Sequence, residues 1–132
     1  MKEFSLSRNE RVKRKKDFEN IFSSGKILFS TDNQIKLIFL IEYNVEKSSV
    51  KMAAAVSKKA GKAVWRNRVK RLIKEVYRHN KQQLLYKVKE EHISLMIIFS
   101  ANRLKETKLP KVKLSNISPG IVELIDKIYQ QI

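Results

Sequence analysis

Residues 57–81, SKKAGKAVWRNRVKRLIKEVYRHNK, carry ten lysines and arginines against one acid, Glu75. The cations are Lys58, Lys59, Lys62, Arg66, Arg68, Lys70, Arg71, Lys74, Arg78 and Lys81. This is the chemistry of holding phosphates. Arg66 and Arg68 offer planar forks that match phosphate oxygens, and Asn67 between them brings a donor and an acceptor for a base edge or a sugar. The residues of a bond-breaking centre are not gathered anywhere. There is no cysteine, the two histidines (His79 and His92) are not at metal-ligand or catalytic spacing, and the acids are scattered singly.

One element must position these cations. From about Lys62 onward, Trp65, Val69, Leu72, Ile73, Val76 and Tyr77 recur at helical spacing and point to one side. Asn67, Arg71, Lys74 and Arg78 stack on the other side, flanked by Lys70, Arg66 and Arg68. A helix here buries one face and presents a ridge of cations on the other. An ordinary surface helix interleaves Glu with Lys, because like charges at i,i+4 each cost a few tenths of a kcal/mol. This pattern makes sense if a polyanion supplies the missing countercharge. Lys58, Lys59 and Lys62 fall at the helix start, where its partial positive end adds to their attraction for an anion. The narrow apolar side suits a protein core better than a membrane surface.

The whole chain points the same way. Its 132 residues carry a net charge of +16 and a pI near 10.2, which for one domain of this size favours nucleic acid as partner. No apolar run approaches membrane-spanning length and the start lacks a signal-like apolar stretch, so the cytoplasm is the expected compartment.

In chain order, residues 1–13 read as a mobile basic arm. Phe18, Ile21 and Phe22 then share the face of a short helix closed by Ser23-Ser24-Gly25. Residues 27–29 suggest a short strand, and residues 34–43 a clear one. In the clear strand Ile35, Leu37, Phe39 and Ile41 alternate against Lys36, Ile38, Leu40 and Glu42. Residues 50–56 are expected to return antiparallel as its hairpin partner, the small Ala53-Ala54-Ala55 admitting a close neighbour. After the basic helix, residues 82–91 continue it or form a second short helix, and residues 93–99 read as a buried strand parallel to the 50–56 strand. Residues 101–117 read as a long basic loop, partly disordered, before a final helix with Ser118 as N-cap and Pro119 at its first position. The order is α-β-β-β-α-β-α, an α+β sandwich with a four-stranded mixed sheet packed by helices.

Two stretches resemble the bacterial ribonuclease P protein component. The first is Val56-Ser57-Lys58-Lys59, Gly61, Ala63-Val64, Arg66-Asn67-Arg68, Lys70-Arg71 and Lys74-Glu75. The second, upstream, is Arg11-Val12-Lys13, Phe18, Ile21-Phe22 and Gly25. The resemblance spans roughly residues 8–130. It implies a fold similar to the second domain of ribosomal protein S5, with a left-handed βαβ crossover where general rules favour a right-handed one. It also implies a non-catalytic subunit that binds a catalytic RNA, the pair removing 5′ leaders from precursor tRNA with Mg²⁺ held mainly by the RNA and no organic cofactor. A protein monomer in a complex of one protein and one RNA is expected. The Arg-Asn-Arg helix and its neighbours (Lys58, Lys59, Lys62, Arg66, Asn67, Arg68, Lys70, Arg71, Lys74 and Arg78) would bind the catalytic RNA. A cleft between the first helix and the sheet would take the single-stranded leader. Phe18 and Phe22 match its aromatics, Arg14 lies one turn before them, and the sheet aromatic falls to Phe39.

Other classes remain open on the residues alone. A ribosomal or other structural RNA-binding protein fits the composition and the α/β pattern equally, and only the Arg-Asn-Arg signature argues against it. An autonomous nuclease lacks its acidic or histidine cluster, and a helix-turn-helix DNA binder would not carry so many strands.

Overall fold

A computed structural model describes residues 10–132. Four helices and four strands follow in the order α1 (Lys15–Ser24), β1 (Lys26–Phe29), β2 (Ile35–Glu42), β3 (Ser49–Ala55), α2 (Ala63–Asn80), α3 (Gln82–Glu90), β4 (Ser94–Ala101) and α4 (Leu114–Gln131). A single 3₁₀ turn, Lys58–Ala60, joins β3 to α2. The expected α-β-β-β-α-β-α order and mixed sheet are present, with the second helical region broken at Lys81 into α2 and α3.

The strands lie in the order β1-β2-β4-β3. β1 and β2 form the antiparallel hairpin, turning through residues 30–34 with Asn33 in the left-handed region that asparagine tolerates. β4 pairs antiparallel to β2, Ile38 opposite Ile98, and parallel to β3, Ala53 opposite Ile98. The parallel pairing of β3 with β4 agrees with the sequence reading; the β2–β3 hairpin does not exist. β4 inserts between those strands because its continuous apolar run, Leu95 to Phe99, buries Leu95, Ile97 and Phe99 on one face and Ile98 on the other, with Met96 half-buried beside it, and belongs at the sheet centre.

The two faces carry unequal loads. Ile35, Leu37, Phe39, Val50, Met52, Leu95, Ile97 and Phe99 join α2, α3 and α4 in the main core. The opposite face is closed by one short helix, where Ile21 of α1 meets Ile38, Ala53, Ile98 and Val12. α4 approaches β2 closely at Gly120, where an added Cβ would stand 3.2 Å from Ile35 Cγ1.

Three boundaries differ from the sequence reading. Of the expected mobile arm, residues 1–9 lie outside the described part, but 10–13 are held: Val12 is buried and its N–H donates to Met52 O at 3.0 Å. Glu10 reaches the buried ammonium of Lys81 at 2.6 Å, pinning the chain start to the α2–α3 break. α4 begins at Leu114, with Pro119 inside it. Asn116 sets that start: Lys113 N donates to Asn116 Oδ1 at 2.8 Å, and the extra turn buries Ile117. The long loop therefore ends at Lys113, and Leu104 and Val112 are buried in the main core while Leu109 packs against it.

Candidate nucleic-acid interface

α2 is seated by Trp65, Val69, Ile73, Val76 and Tyr77, all buried, with Leu72 at the margin. Each buried aliphatic contributes roughly 1.5–3 kcal/mol. The like-charged pairs at i,i+4, such as Arg66 with Lys70 and Lys70 with Lys74, cost a few tenths of a kcal/mol each. Burial wins, so the helix can hold a ridge that repels itself. Asn67, Arg68, Arg71 and Lys74 are exposed along that ridge, while Arg66 and Lys70 lie half-buried at its flank. The Nε of Arg66 is buried without a hydrogen-bond partner among the described residues. Arg78, at the far end, is paired with Glu75, so the lone acid of the stretch draws off one of the ten cations. Lys58, Lys59 and Lys62 are exposed around the 3₁₀ turn and the helix start, as the sequence places them.

The start of α2 does not end in open solvent. Lys62 N–H donates to Glu106 Oε1 at 2.8 Å, the Trp65 indole N–H to Leu109 O at 2.9 Å, and Arg68 Nε–H to Val112 O at 2.7 Å. A carboxylate of the chain itself thus sits where the sequence pattern anticipates an external anion. Arg68 keeps its two terminal nitrogens without a partner among the described residues.

The second expected site divides. Arg14 stands at the residue before α1, makes no capping bond through its side chain and is exposed, Phe18 packs half-buried against the small cluster, and Phe22 is 55% exposed. These three follow at four-residue intervals and share one side of α1. Phe39 does not join them. It is 2% exposed in the main core, on the sheet face turned away from α1. The strand alternation decides this: with Ile35 and Leu37 packed under the helices, Phe39 must follow them, and Ile38 and Leu40 take the α1 side. Under α1 the sheet is aliphatic, with Ile38, Leu40, Met96, Ile98 and Ala53. Lys36 and Lys51, half-buried on that same face, add cations that the sequence reading did not single out. Their alternation with Ile38 and with Ala53 was the available signal.

Among the described residues no group of three or more acids and histidines comes together that would hold a metal ion. No described helix is long and apolar enough to cross a membrane.

The model of the Ribonuclease P family matches residues 6–114. The chain belongs to the ribonuclease P protein family. A Dictyoglomus turgidum relative named ribonuclease P protein component is 36% identical over 110 residues, covering 83% of this chain and 85% of the relative. One from Clostridioides difficile is 40% identical over 75 residues, covering 57% and 61%. Among solved structures, a ribonuclease P protein of Staphylococcus aureus superposes with a TM-score of 0.59 at 26% identity, covering 90% of this chain and 94% of the other. The Thermotoga maritima protein, at 24% identity, shares the fold with a TM-score of 0.63 over 89% and 96% of the two chains. The family model ends at the first residue of α4, so the helix that closes the main core lies beyond the matched region.

Proposed function

We propose that this chain is the protein subunit of a ribonuclease P ribonucleoprotein, binding the catalytic RNA through α2 and the 5′ leader of precursor tRNA beside α1. The observation that carries the reading is the ridge of exposed cations on a helix whose other face is fully committed to the core. Among the described residues Glu75 pairs with Arg78, but Arg68, Arg71 and Lys74 have no acidic partner; phosphates relieve them. Arg68, Arg71, Lys74 and Asn67 lead that contact, with Arg66, Lys70 and Arg78 at its margins and Lys58, Lys59 and Lys62 at the helix start. Arg14, Phe18 and Phe22 take the leader, with Lys36 and Lys51 supplying countercharge from the sheet.

In this reading the Mg²⁺ that supports cleavage is held mainly by the RNA. The assembly is one protein on one RNA, acting in the cytoplasm. The test is a salt titration of binding to a transcribed bacterial ribonuclease P RNA and to an unrelated RNA of equal length. With about five phosphates engaged, log K falls against log salt with a slope of roughly −3.5 to −4.5. The cognate RNA is bound more tightly throughout. A slope near zero, or equal affinity for both RNAs, overturns the reading.

A further inference from the structure

The connection from β4 to α4 has an unusual relation to the cationic helix. Residues 106, 109 and 112 bond to residues 62, 65 and 68, each pair 44 positions apart. Both segments advance three residues per bond. The connection can keep that pace because its own backbone is coiled there, Lys108 and Leu109 both donating to Lys105 O. It is anchored before the bonds begin: Asn102 N–H donates to Gln34 O, and Arg103 N–H to Asn33 O. Leu104, just before the bonded stretch, and Val112, its last residue, are buried in the main core. This is a strap laid along the first two turns of α2.

Glu106 closes the strap at the helix start. Its N–H donates to Ala60 O at 2.8 Å while its carboxylate takes the Lys62 N–H, so one residue grips the chain on both sides of Gly61. Gly61 is extended, a conformation open to any residue, but a Cβ there would stand 2.8 Å from Glu106 Cβ and 2.7 Å from Trp65 Cε3. The glycine is there for the fit of the strap. At its other end the strap takes the Nε of the exposed Arg68 and leaves the terminal nitrogens without a partner among the described residues. Both ends therefore bear on groups of the RNA-facing ridge.

We infer that residues 102–113 form a positioning strap for the RNA-binding end of α2, and that the Glu106 side chain acts in it as a hydrogen-bond acceptor whose charge is incidental. The inference rests on the reading that α2 binds the catalytic RNA. It opposes simple electrostatics, in which an acid beside a ridge of cations only weakens the attraction for RNA.

Two substitutions separate these effects. Glu106→Gln removes the charge and keeps an oxygen that can accept from Lys62 N–H; Glu106→Ala removes both. Affinity for the catalytic RNA is measured at one salt concentration, well below the melting temperatures of all three full-length proteins. The strap predicts that Glu106→Gln stays within roughly twofold of the original protein, the size of an exposed-charge effect. Glu106→Ala binds roughly three- to tenfold more weakly, because the ridge must be ordered on binding. Should Glu106→Ala prove too unstable to assay, Trp65→Phe removes the bond to Leu109 O while retaining an aromatic ring, and the same several-fold loss is expected. Equal tightening by both Glu106 variants overturns the strap and leaves charge alone. Equal weakening by both overturns it too, since the acceptor would then not suffice. If the unsubstituted protein fails to prefer the catalytic RNA over an unrelated RNA, the functional reading falls and takes this inference with it.

Discussion

Replacing Phe22 by alanine tests the leader site with little disturbance of the fold. The ring is 55% exposed, so less than half of its surface is at stake in folding. A fully buried phenylalanine costs about 3–5 kcal/mol when cut to alanine. Here the loss should be about 1 kcal/mol or less, a melting shift of a few degrees at most. A ring on which a leader base stacks contributes roughly 1–3 kcal/mol. The assembled complex of protein and catalytic RNA should therefore bind precursor tRNA roughly 5- to 150-fold more weakly. Mature tRNA has no leader, and its affinity should hold. The control is Ile21→Ala, one position away on the same helix but fully buried between α1 and the sheet. It should lower the melting temperature strongly and harm both tRNAs alike. The leader assignment is refuted if Phe22→Ala weakens precursor and mature tRNA equally, or leaves both unchanged.

Arg71 is exposed with no hydrogen bond among the described residues, so Arg71→Ala should weaken binding to the catalytic RNA, reduce the salt slope by about 1, and leave melting unchanged. Arg68→Ala should weaken the same binding but also lower the melting temperature, because it frees the Val112 carbonyl; identical melting for both variants would contradict the strap contact. Glu123 accepts from the Thr31 hydroxyl and N–H and pairs with Lys127, which holds its carboxyl down to about 2 from an ordinary 4.5. A lowered carboxylate stabilises the fold above its unfolded value and loses that contribution as pH falls towards the folded one. Between about pH 5 and pH 2 the original protein should thus lose more melting temperature than Glu123→Gln, and parallel curves would remove Glu123 from the account.

What was legible in the sequence was what neighbouring residues decide. Trp65, Val69, Ile73, Val76 and Tyr77 announce α2 by their spacing alone, and all five are buried as that spacing requires. The two cationic flanks follow from the same periodicity. What failed depended on distant partners. The alternation in β2 is plain, but which side meets the larger helical layer is set by α2 and α4, and Phe39 follows that choice into the core. The order β1-β2-β4-β3 depends on a strand more than fifty residues after β2, and no turn signal near Val50 reports it. Ser118-Pro119 has the form of a helix start, yet the burial of Ile117 and the Asn116 cap extend the helix ahead of it. The strap was hidden for a similar reason. Its lysine-rich composition reads as a solvated loop, while its order comes from two backbone carbonyls, one carboxylate and three apolar residues that meet α2 and the core across 44 positions.

The central claim is that this chain assists RNA-based removal of tRNA leaders. The most direct measurement mixes the purified protein with a transcribed bacterial ribonuclease P RNA at a Mg²⁺ concentration too low for the RNA alone, and follows cleavage of precursor tRNA. The account predicts that the mixture releases the leader at the mature 5′ end while the protein by itself cuts nothing. Cleavage by the protein without the RNA, or a mixture no more active than the RNA alone, would contradict it.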